Sequence, residues 1–157
     1  MVPSLEKIAS FKVNHDKLNP GLYTSRVDGG IVTYDLRATL PNRDAYMDND
    51  EMHTFEHLFA TYARNSGSGF QVVYFGPMGC RTGFYLLVRD SLTPKMSIEL
   101  IRQTLSKIAA HEGEIPGCSE IECGNAGEHS LPKAKARAAN MAEILRDWTP
   151  ERLAYEE

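Results

Sequence analysis

The segment Met52-His53-Thr54-Phe55-Glu56-His57-Leu58-Phe59-Ala60-Thr61-Tyr62 carries a helix pattern and a set of polar side chains suited to metal chemistry. Its apolar side chains recur at helical spacing, at Met52, Phe55, Phe59 and Tyr62. This pattern predicts a helix that packs against a core. The helix should begin near Asp48 or Asp50, where acidic residues suit the helix dipole, and should fade toward Asn65-Ser66-Gly67.

Two histidines of this segment, His53 and His57, lie four positions apart and therefore project from one face of the predicted helix. Their imidazoles can converge on one metal ion. Glu56 lies on nearly the same side, and a carboxylate beside such a site can move protons on a bound substrate or water. The alternative is a helix with two satisfied histidines and a solvated glutamate, so a metal site requires further ligands.

The chain contains three cysteines, Cys80, Cys118 and Cys123, and thiolate is a strong ligand for zinc and ferrous iron. Cys123 lies in the loop-like stretch Ile121-Glu122-Cys123-Gly124-Asn125. Cys80 lies between two apolar runs, in a stretch with turn residues that would expose its thiol at a strand end. The neighbouring Arg81 would lower the pKa of that thiol, which favours a reactive cysteine over a buried apolar one.

The remaining apolar runs predict a sheet and further helices. Asp28-Gly29-Gly30 predicts a turn between strands at Leu22–Val27 and Ile31–Leu40, the second half-buried because Tyr34 and Leu36 alternate with Asp35 and Arg37. Further strands are predicted at Phe70–Phe75 and Phe84–Val88, and further helices at Thr93 to His111, Ser130 to Trp148 and briefly from Thr149. Because strands and helices do not alternate steadily, the predicted class is α+β, with a mainly antiparallel sheet packed against helices in a single domain, 1–157.

Composition excludes some classes of function. The net charge of −4 argues against a nucleic-acid surface, and no stretch approaches the ~20 apolar residues of a membrane span. The first residues, Met1-Val2-Pro3-Ser4-Leu5-Glu6-Lys7, lack the layout of a signal peptide. An odd, small number of cysteines fits a reducing compartment, so we expect a cytoplasmic protein with free or metal-bound thiols.

Three motifs together resemble one family. The stretches His53-Thr54-Phe55-Glu56-His57-Leu58, Pro77-Met78-Gly79-Cys80-Arg81-Thr82-Gly83-Phe84-Tyr85 and Glu122-Cys123-Gly124-Asn125 resemble S-ribosylhomocysteine lyase, the enzyme family of autoinducer-2 synthesis, in order and spacing. The similarity runs from about Ser10 to Trp148. It implies a homodimeric α+β enzyme that cleaves S-ribosylhomocysteine to homocysteine and dihydroxypentanedione.

The resemblance also implies roles for individual residues. His53, His57 and Cys123 would hold one divalent metal per subunit, natively ferrous iron, with zinc or cobalt able to substitute. Glu56 and Cys80 would be the acid–base pair. Three further residues would bind substrate: Ser10, His15 and Arg37.

This chemistry explains the need for such a site. The thioether leaves by β-elimination only after the carbonyl has migrated along the ribose, and each migration removes a proton beside a carbonyl. A metal with three protein ligands keeps a position open for sugar oxygens and stabilises the developing charge. Cys80 would act as a thiolate for part of the cycle, and either Arg37 or Arg81 could favour that form.

Two other interpretations remain open from the sequence. His-x-x-Glu-His is also the pattern of inverted zinc peptidases, although that chemistry uses no Cys80 and no thiolate ligand. Alternatively, Cys118 and Cys123 could join His53 and His57 in a structural zinc module, whose four protein ligands would close the site.

The N-terminal segment and His129 are less defined. Phe11 and Val13 alternate with polar residues, which suggests an edge strand with His15 on the surface. The resemblance instead implies that this segment lines a site shared between two subunits. His129, beside Ser130, is interpreted as a capping or surface residue, with a supporting role near Cys123 as the alternative.

Overall fold

Four antiparallel strands form one sheet in the computed structural model, which describes residues 4–157. Their order across the sheet is β1-β2-β4-β3. The strands are β1 at Gly21–Asp28, β2 at Ile31–Arg37, β3 at Val72–Pro77 and β4 at Gly83–Arg89. The predicted antiparallel sheet is therefore confirmed, although β3 begins two residues later than predicted because Gly69–Gln71 form a 3₁₀ turn.

The turn between β1 and β2 follows the prediction from Asp28-Gly29-Gly30. Asp28 pairs with Ile31, and the two glycines between them have φ angles of 52° and 87°. Positive φ at both central residues defines the hairpin turn whose twist matches that of the strands. Glycine is favoured at both positions because side chains rarely adopt this backbone conformation.

Within residues 4–157, four α-helices accompany the sheet: α1 at Ala9–Lys12, α2 at Asn49–Arg64, α3 at Pro94–Ala109 and α4 at Leu131–Ile144. The predicted starts of α2, α3 and α4 are confirmed. Thr93 caps α3 by accepting a bond from the Met96 N–H at 3.2 Å, and Ser130 caps α4 in the same way. α4 ends at Ile144, four positions before the predicted end, and Pro150–Arg152 form a final 3₁₀ turn. Among residues 4–157, no helix combines the length and apolarity needed to span a membrane.

Stacked phenylalanines join α2 to the sheet. Phe59 of α2 stacks on Phe75 of β3 with ring centroids 3.9 Å apart, and Phe55 stacks on Phe84 of β4 at 4.6 Å. All four rings are buried. Strand pairing places Phe84, Leu86 and their partners on this inner face; the other residues of the strands form the outer face.

Two predictions from the sequence are wrong for the outer face of the sheet and the segment that lies near it. Asp35 and Arg37, expected on the polar side of a half-buried strand, are only 1% and 3% exposed, because terminal segments of the chain cover this part of the sheet. The edge strand predicted around Phe11 is absent: Ala9–Lys12 form one helical turn. A 3₁₀ turn follows at His15–Lys17, opened by the Asn14 side chain, which accepts a bond from the Asp16 N–H.

The phenylalanine stack predicts a large effect on stability. Phe59→Ala should lower the free energy of unfolding by about 3–5 kcal/mol, because it removes a buried ring and leaves a cavity between α2 and the sheet. Urea denaturation would measure this change. Phe70→Ala is the matched control, since Phe70 is 79% exposed and its removal should change stability by no more than about 0.5 kcal/mol. Equal losses for the two variants would contradict the proposed importance of the stack.

Candidate metal centre and sheet-face cavity

Four side chains converge at one place: His53 and His57 on α2, and Cys123 and His129 on the segment between α3 and α4. Their potential ligand atoms all lie within 4.8 Å of one another. The sulfur of Cys123 lies 3.3 Å from Nε2 of His53, 4.0 Å from Nε2 of His57 and 3.8 Å from Nε2 of His129. Imidazole and thiolate ligands at such spacing can hold one divalent metal ion.

Backbone carbonyls orient the two helix histidines. Nδ1 of His53 donates to the carbonyl of Glu128, and Nδ1 of His57 donates to the carbonyl of Pro116, both at 2.9 Å. Because a carbonyl only accepts, each ring carries its proton on Nδ1 and leaves the Nε2 lone pair free. Hydrogen bonds of this kind are typical of metal-binding histidines. The residues present are therefore suited to hold a metal ion.

Glycine allows the backbone conformation of the segment after α3 where it lies beside His57. Gly117 has φ of 69°, and a Cβ atom there would lie 3.5 Å from Nδ1 of His57. A larger residue would be strained by its backbone conformation at the point where the neighbouring Pro116 carbonyl receives the His57 proton. The local backbone thus supports the orientation of the ring.

His129 contacts a different partner. Its Nδ1 lies 2.9 Å from the hydroxyl of Thr54, and that hydroxyl also accepts a bond from the Ser130 N–H at 2.9 Å. Burial, followed by the neighbouring His53 and His57 rings, lowers the pKa of His129 to about 4, so the ring is neutral near pH 7. The interpretation of His129 as a mere cap or surface residue missed this contact, because it depends on Thr54, far away in sequence.

Cys118 lies outside the cluster, whose fourth member is His129. The structure therefore does not assemble the zinc module built from Cys118, Cys123 and the two helix histidines. Glu56 is half-buried on α2, one residue before His57. It takes part in none of the ion pairs found among residues 4–157.

A cavity of about 350 Å³ brings together the other residues singled out in the sequence. Ser10, His15, Arg37 and Cys80 all line it. It opens on the outer face of the sheet, where Asp35 and Tyr85 pair across β2 and β4 and also line its wall. Neither Glu56 nor any member of the metal cluster lines this cavity.

The cavity contains a buried charged network. Asp35 binds Arg37 through two bonds, from Nε at 3.1 Å and from Nη2 at 2.6 Å. Nη1 of Arg37 donates to Thr82 at 2.8 Å and lies 3.9 Å from the sulfur of Cys80. Cys80 is exposed, and its sulfur lies 3.1 Å from the Thr82 hydroxyl. The network therefore presents a thiol beside a guanidinium at an accessible surface.

Arg81, the other arginine considered for Cys80, points elsewhere. Its guanidinium lies over the ring of Tyr46 at 5.5 Å, and its Nη1 donates to the Met47 carbonyl at 3.4 Å. Of the two arginines, Arg37 is the one that contacts the Cys80 sulfur. Asp35, which orients Arg37, was not predicted to lie at the site because its position in an alternating strand suggested exposure to solvent.

The chain is similar to proteins of known activity. It matches the family model described as S-Ribosylhomocysteinase (LuxS) over residues 8–152. A relative from Clostridium acetobutylicum named S-ribosylhomocysteine lyase is 44% identical over 158 residues, which cover 98% of this chain and 100% of the relative. Relatives of the same name from Finegoldia magna and Borreliella afzelii are 43% and 42% identical. They cover 98% and 96% of this chain, and 100% and 99% of their own lengths.

Proposed function

This chain belongs to the S-ribosylhomocysteinase (LuxS) family, and we propose that it is a metal-dependent lyase that cleaves S-ribosylhomocysteine to homocysteine and dihydroxypentanedione. The family indicated by the three sequence motifs is thereby confirmed. The observation that carries the proposal is the convergence of His53, His57 and Cys123 on one point. The product would be the precursor of autoinducer-2.

His53, His57 and Cys123 are the proposed ligands of one divalent metal per subunit. Two imidazoles and a thiolate suit ferrous iron, which we take as the native metal, and also zinc or cobalt. When bound, the metal supplies Lewis acidity that stabilises negative charge on the oxygens of the substrate. The three free cysteines fit the cytoplasmic location expected from the sequence, where thiols and ferrous iron stay reduced.

We leave His129 out of the proposed ligand set because of the hydrogen bonds of Thr54. The Thr54 side chain is fully buried and accepts from Ser130, so its own hydroxyl hydrogen needs an acceptor. Nδ1 of His129 is the acceptor in reach, and Nε2 then carries the ring proton. A protonated Nε2 cannot bind a metal ion but can donate toward the Cys123 thiolate. Three ligands leave a coordination position open, as catalysis requires.

Glu56 and Cys80 are the proposed proton-transfer groups. Moving the carbonyl by one carbon takes a proton from the carbon beside it and returns a proton to the former carbonyl carbon. A carboxylate and a thiolate on opposite sides of the sugar can do both without releasing the intermediate. Once the carbon next to the sulfur-bearing carbon is also next to the carbonyl, loss of its proton forms a carbon–carbon double bond and breaks the bond to sulfur. Homocysteine thiolate leaves and takes up a proton.

We propose that the complete site forms between two copies of this chain. Two observations support a homodimer with sites at its interface. The cavity with Cys80, His15 and Ser10 lies on the outer face of the sheet, whereas α2 with Glu56 packs on the inner face. The outer face also exposes apolar surface beside the cavity, including Tyr74 at 53%. A partner that covers this face could bring its own metal centre to the cavity.

The ligand set makes a first prediction about metal content. His53→Ala, His57→Ala and Cys123→Ala should each lose stoichiometric metal after dialysis, because two remaining ligands bind weakly. Cys118→Ala and His129→Ala should keep it, as measured by elemental analysis of anaerobically purified protein. Circular dichroism would verify that each variant is folded. Loss of metal from the His129 variant would instead support a closed site with four ligands.

The acid–base roles predict a loss of turnover without loss of metal. Glu56→Gln keeps the shape of the side chain but removes the base, and Cys80→Ala removes the thiol. Each should lower the rate of homocysteine release by roughly a hundredfold or more while metal stays bound. The assay mixes metal-replete protein with S-ribosylhomocysteine and detects the released thiol. Cys118→Ala is the control and should turn over normally, whereas no thiol release by the unmodified protein would refute the proposed activity.

A shared site predicts that some pairs of inactive variants restore each other. In a mixed dimer of His15→Ala and Glu56→Gln subunits, both defects fall in one site and the other site is intact. Refolding an equal mixture should therefore recover up to about a quarter of normal turnover, since half the dimers are mixed and each has one working site.

The control pair is His15→Ala with Cys80→Ala. Both residues line the same cavity, so a mixed dimer has one defect in each site and should recover nothing. Recovery in neither pair, despite verified subunit exchange, would mean that each subunit builds its site alone.

A further inference from the structure

The C-terminal residues 153–157 lie against the outer face of the sheet, beyond the part of the chain that matches the family model. The Leu153 carbonyl accepts a bond from the Thr24 N–H of β1 at 2.7 Å, and the Leu153 side chain is buried. The ring of Tyr155 stacks on that of Tyr23, with centroids 5.1 Å apart and 16° between the planes. The segment is therefore held in place by both backbone and ring contacts.

The hydroxyl of Tyr155 reaches the charged network of the cavity. It donates to Oδ2 of Asp35 at 2.6 Å, the same oxygen that accepts from Nη2 of Arg37. Burial, and then the negative charge of Asp35, raise the pKa of Tyr155 well above its ordinary value, so the hydroxyl keeps its proton. Asp35 is almost fully buried and depends on such donors to satisfy its charge.

These contacts form one connected path from the C-terminal segment to the thiol. Tyr155 binds Asp35, Asp35 holds Arg37 through two bonds, and Arg37 lies beside Cys80. A bidentate pair fixes the plane of a guanidinium, so a change at the carboxylate moves or reorients the arginine. Tyr155 also lines the cavity itself, together with Cys80.

We infer that Tyr155 is a positioning residue for Cys80: it orients Asp35, and through Asp35 the guanidinium of Arg37 that faces the thiol. Without its hydroxyl, the Asp35 charge is less neutralised and Arg37 is less firmly held. Both effects weaken the positive charge that Arg37 presents to the Cys80 sulfur, and the thiol should therefore react more slowly. The expected effect on turnover rests on the proposed function, because it requires that Cys80 takes part in the reaction. The expected effect on the reactivity of the thiol does not rest on it.

The test compares the wild-type protein with Tyr155→Phe, which keeps the stacked ring and removes only the hydroxyl. The alkylation rate of Cys80 by iodoacetamide at fixed pH should fall about threefold to tenfold, because thiolate is the reactive form. Mass spectrometry of the Cys80 and Cys118 peptides gives both rates in one sample, and the Cys118 rate should not change. The kcat/KM for S-ribosylhomocysteine should fall by a similar factor.

Two further variants separate positioning from general loosening. Tyr62→Phe removes a tyrosine hydrogen bond far from Cys80 in sequence, between the Tyr62 hydroxyl and Nδ1 of His111 at 2.7 Å. This variant should leave the alkylation rate of Cys80 unchanged. In an Arg37→Lys background, which breaks the path, Tyr155→Phe should add little further loss at Cys80. A structural defect alone would act equally in both backgrounds.

The outcomes distinguish this inference from the proposed function. Equal Cys80 rates in Tyr155→Phe and the wild type, or a parallel change at Cys118, would overturn the positioning role even if the enzyme is active. A selective fall at Cys80 in a protein that releases no homocysteine would support the positioning role and refute the proposed activity. A selective fall at Cys80 together with reduced kcat/KM supports both.

Discussion

The stack of phenylalanines between α2 and the sheet sets the rotation of α2 about its axis, and the candidate metal centre depends on that rotation. Phe55 and Phe59 face the sheet and lock the helix against β3 and β4. His53 and His57 each lie two positions earlier, which corresponds to about 200° around a helix. The imidazoles therefore point away from the sheet, toward the segment between α3 and α4. Carbonyls of that segment receive their Nδ1 protons and leave Nε2 free.

The opposite face of the sheet contains buried charged side chains. Asp35 and Arg37 are covered by terminal segments, and a buried ion pair is tolerated only when its remaining hydrogen-bonding groups find partners. Thr82 and Tyr155 supply them. The same bonds that satisfy the pair hold the guanidinium beside Cys80. We therefore expect one set of contacts to affect both the stability of the ion pair and the reactivity of the thiol, and we expect the position of the arginine to be sensitive to the C-terminal residues.

The candidate metal centre and the cavity are separated in one chain, and this separation explains why the proposed reaction would require a dimer. Glu56 on α2 and the Cys80 thiol on the outer face of the sheet lie on different surfaces of one chain. Two copies related by a twofold axis would form two equivalent sites, each with a metal centre from one copy and a cavity from the other. In such an arrangement, proton-transfer groups approach the substrate from opposite directions, which suits a carbonyl that moves along a sugar chain.

Local sequence patterns were sufficient to predict the helices and strands and part of the candidate site. Apolar spacing, capping residues and glycine turns act over a few residues, so the α+β class, the hairpin at Gly29 and the starts of α2, α3 and α4 followed from them. The pairing of His53 with His57 also followed, because helix geometry alone places them together. Tertiary structure decided the rest. The contact of His129 with Thr54, the burial of Asp35 and the approach of Tyr155 join residues distant in sequence, and periodicity carries no information about which distant segment covers a given face. The exclusion of Cys118 and the choice of Arg37 over Arg81 beside Cys80 likewise depended on where the chain folds back on itself.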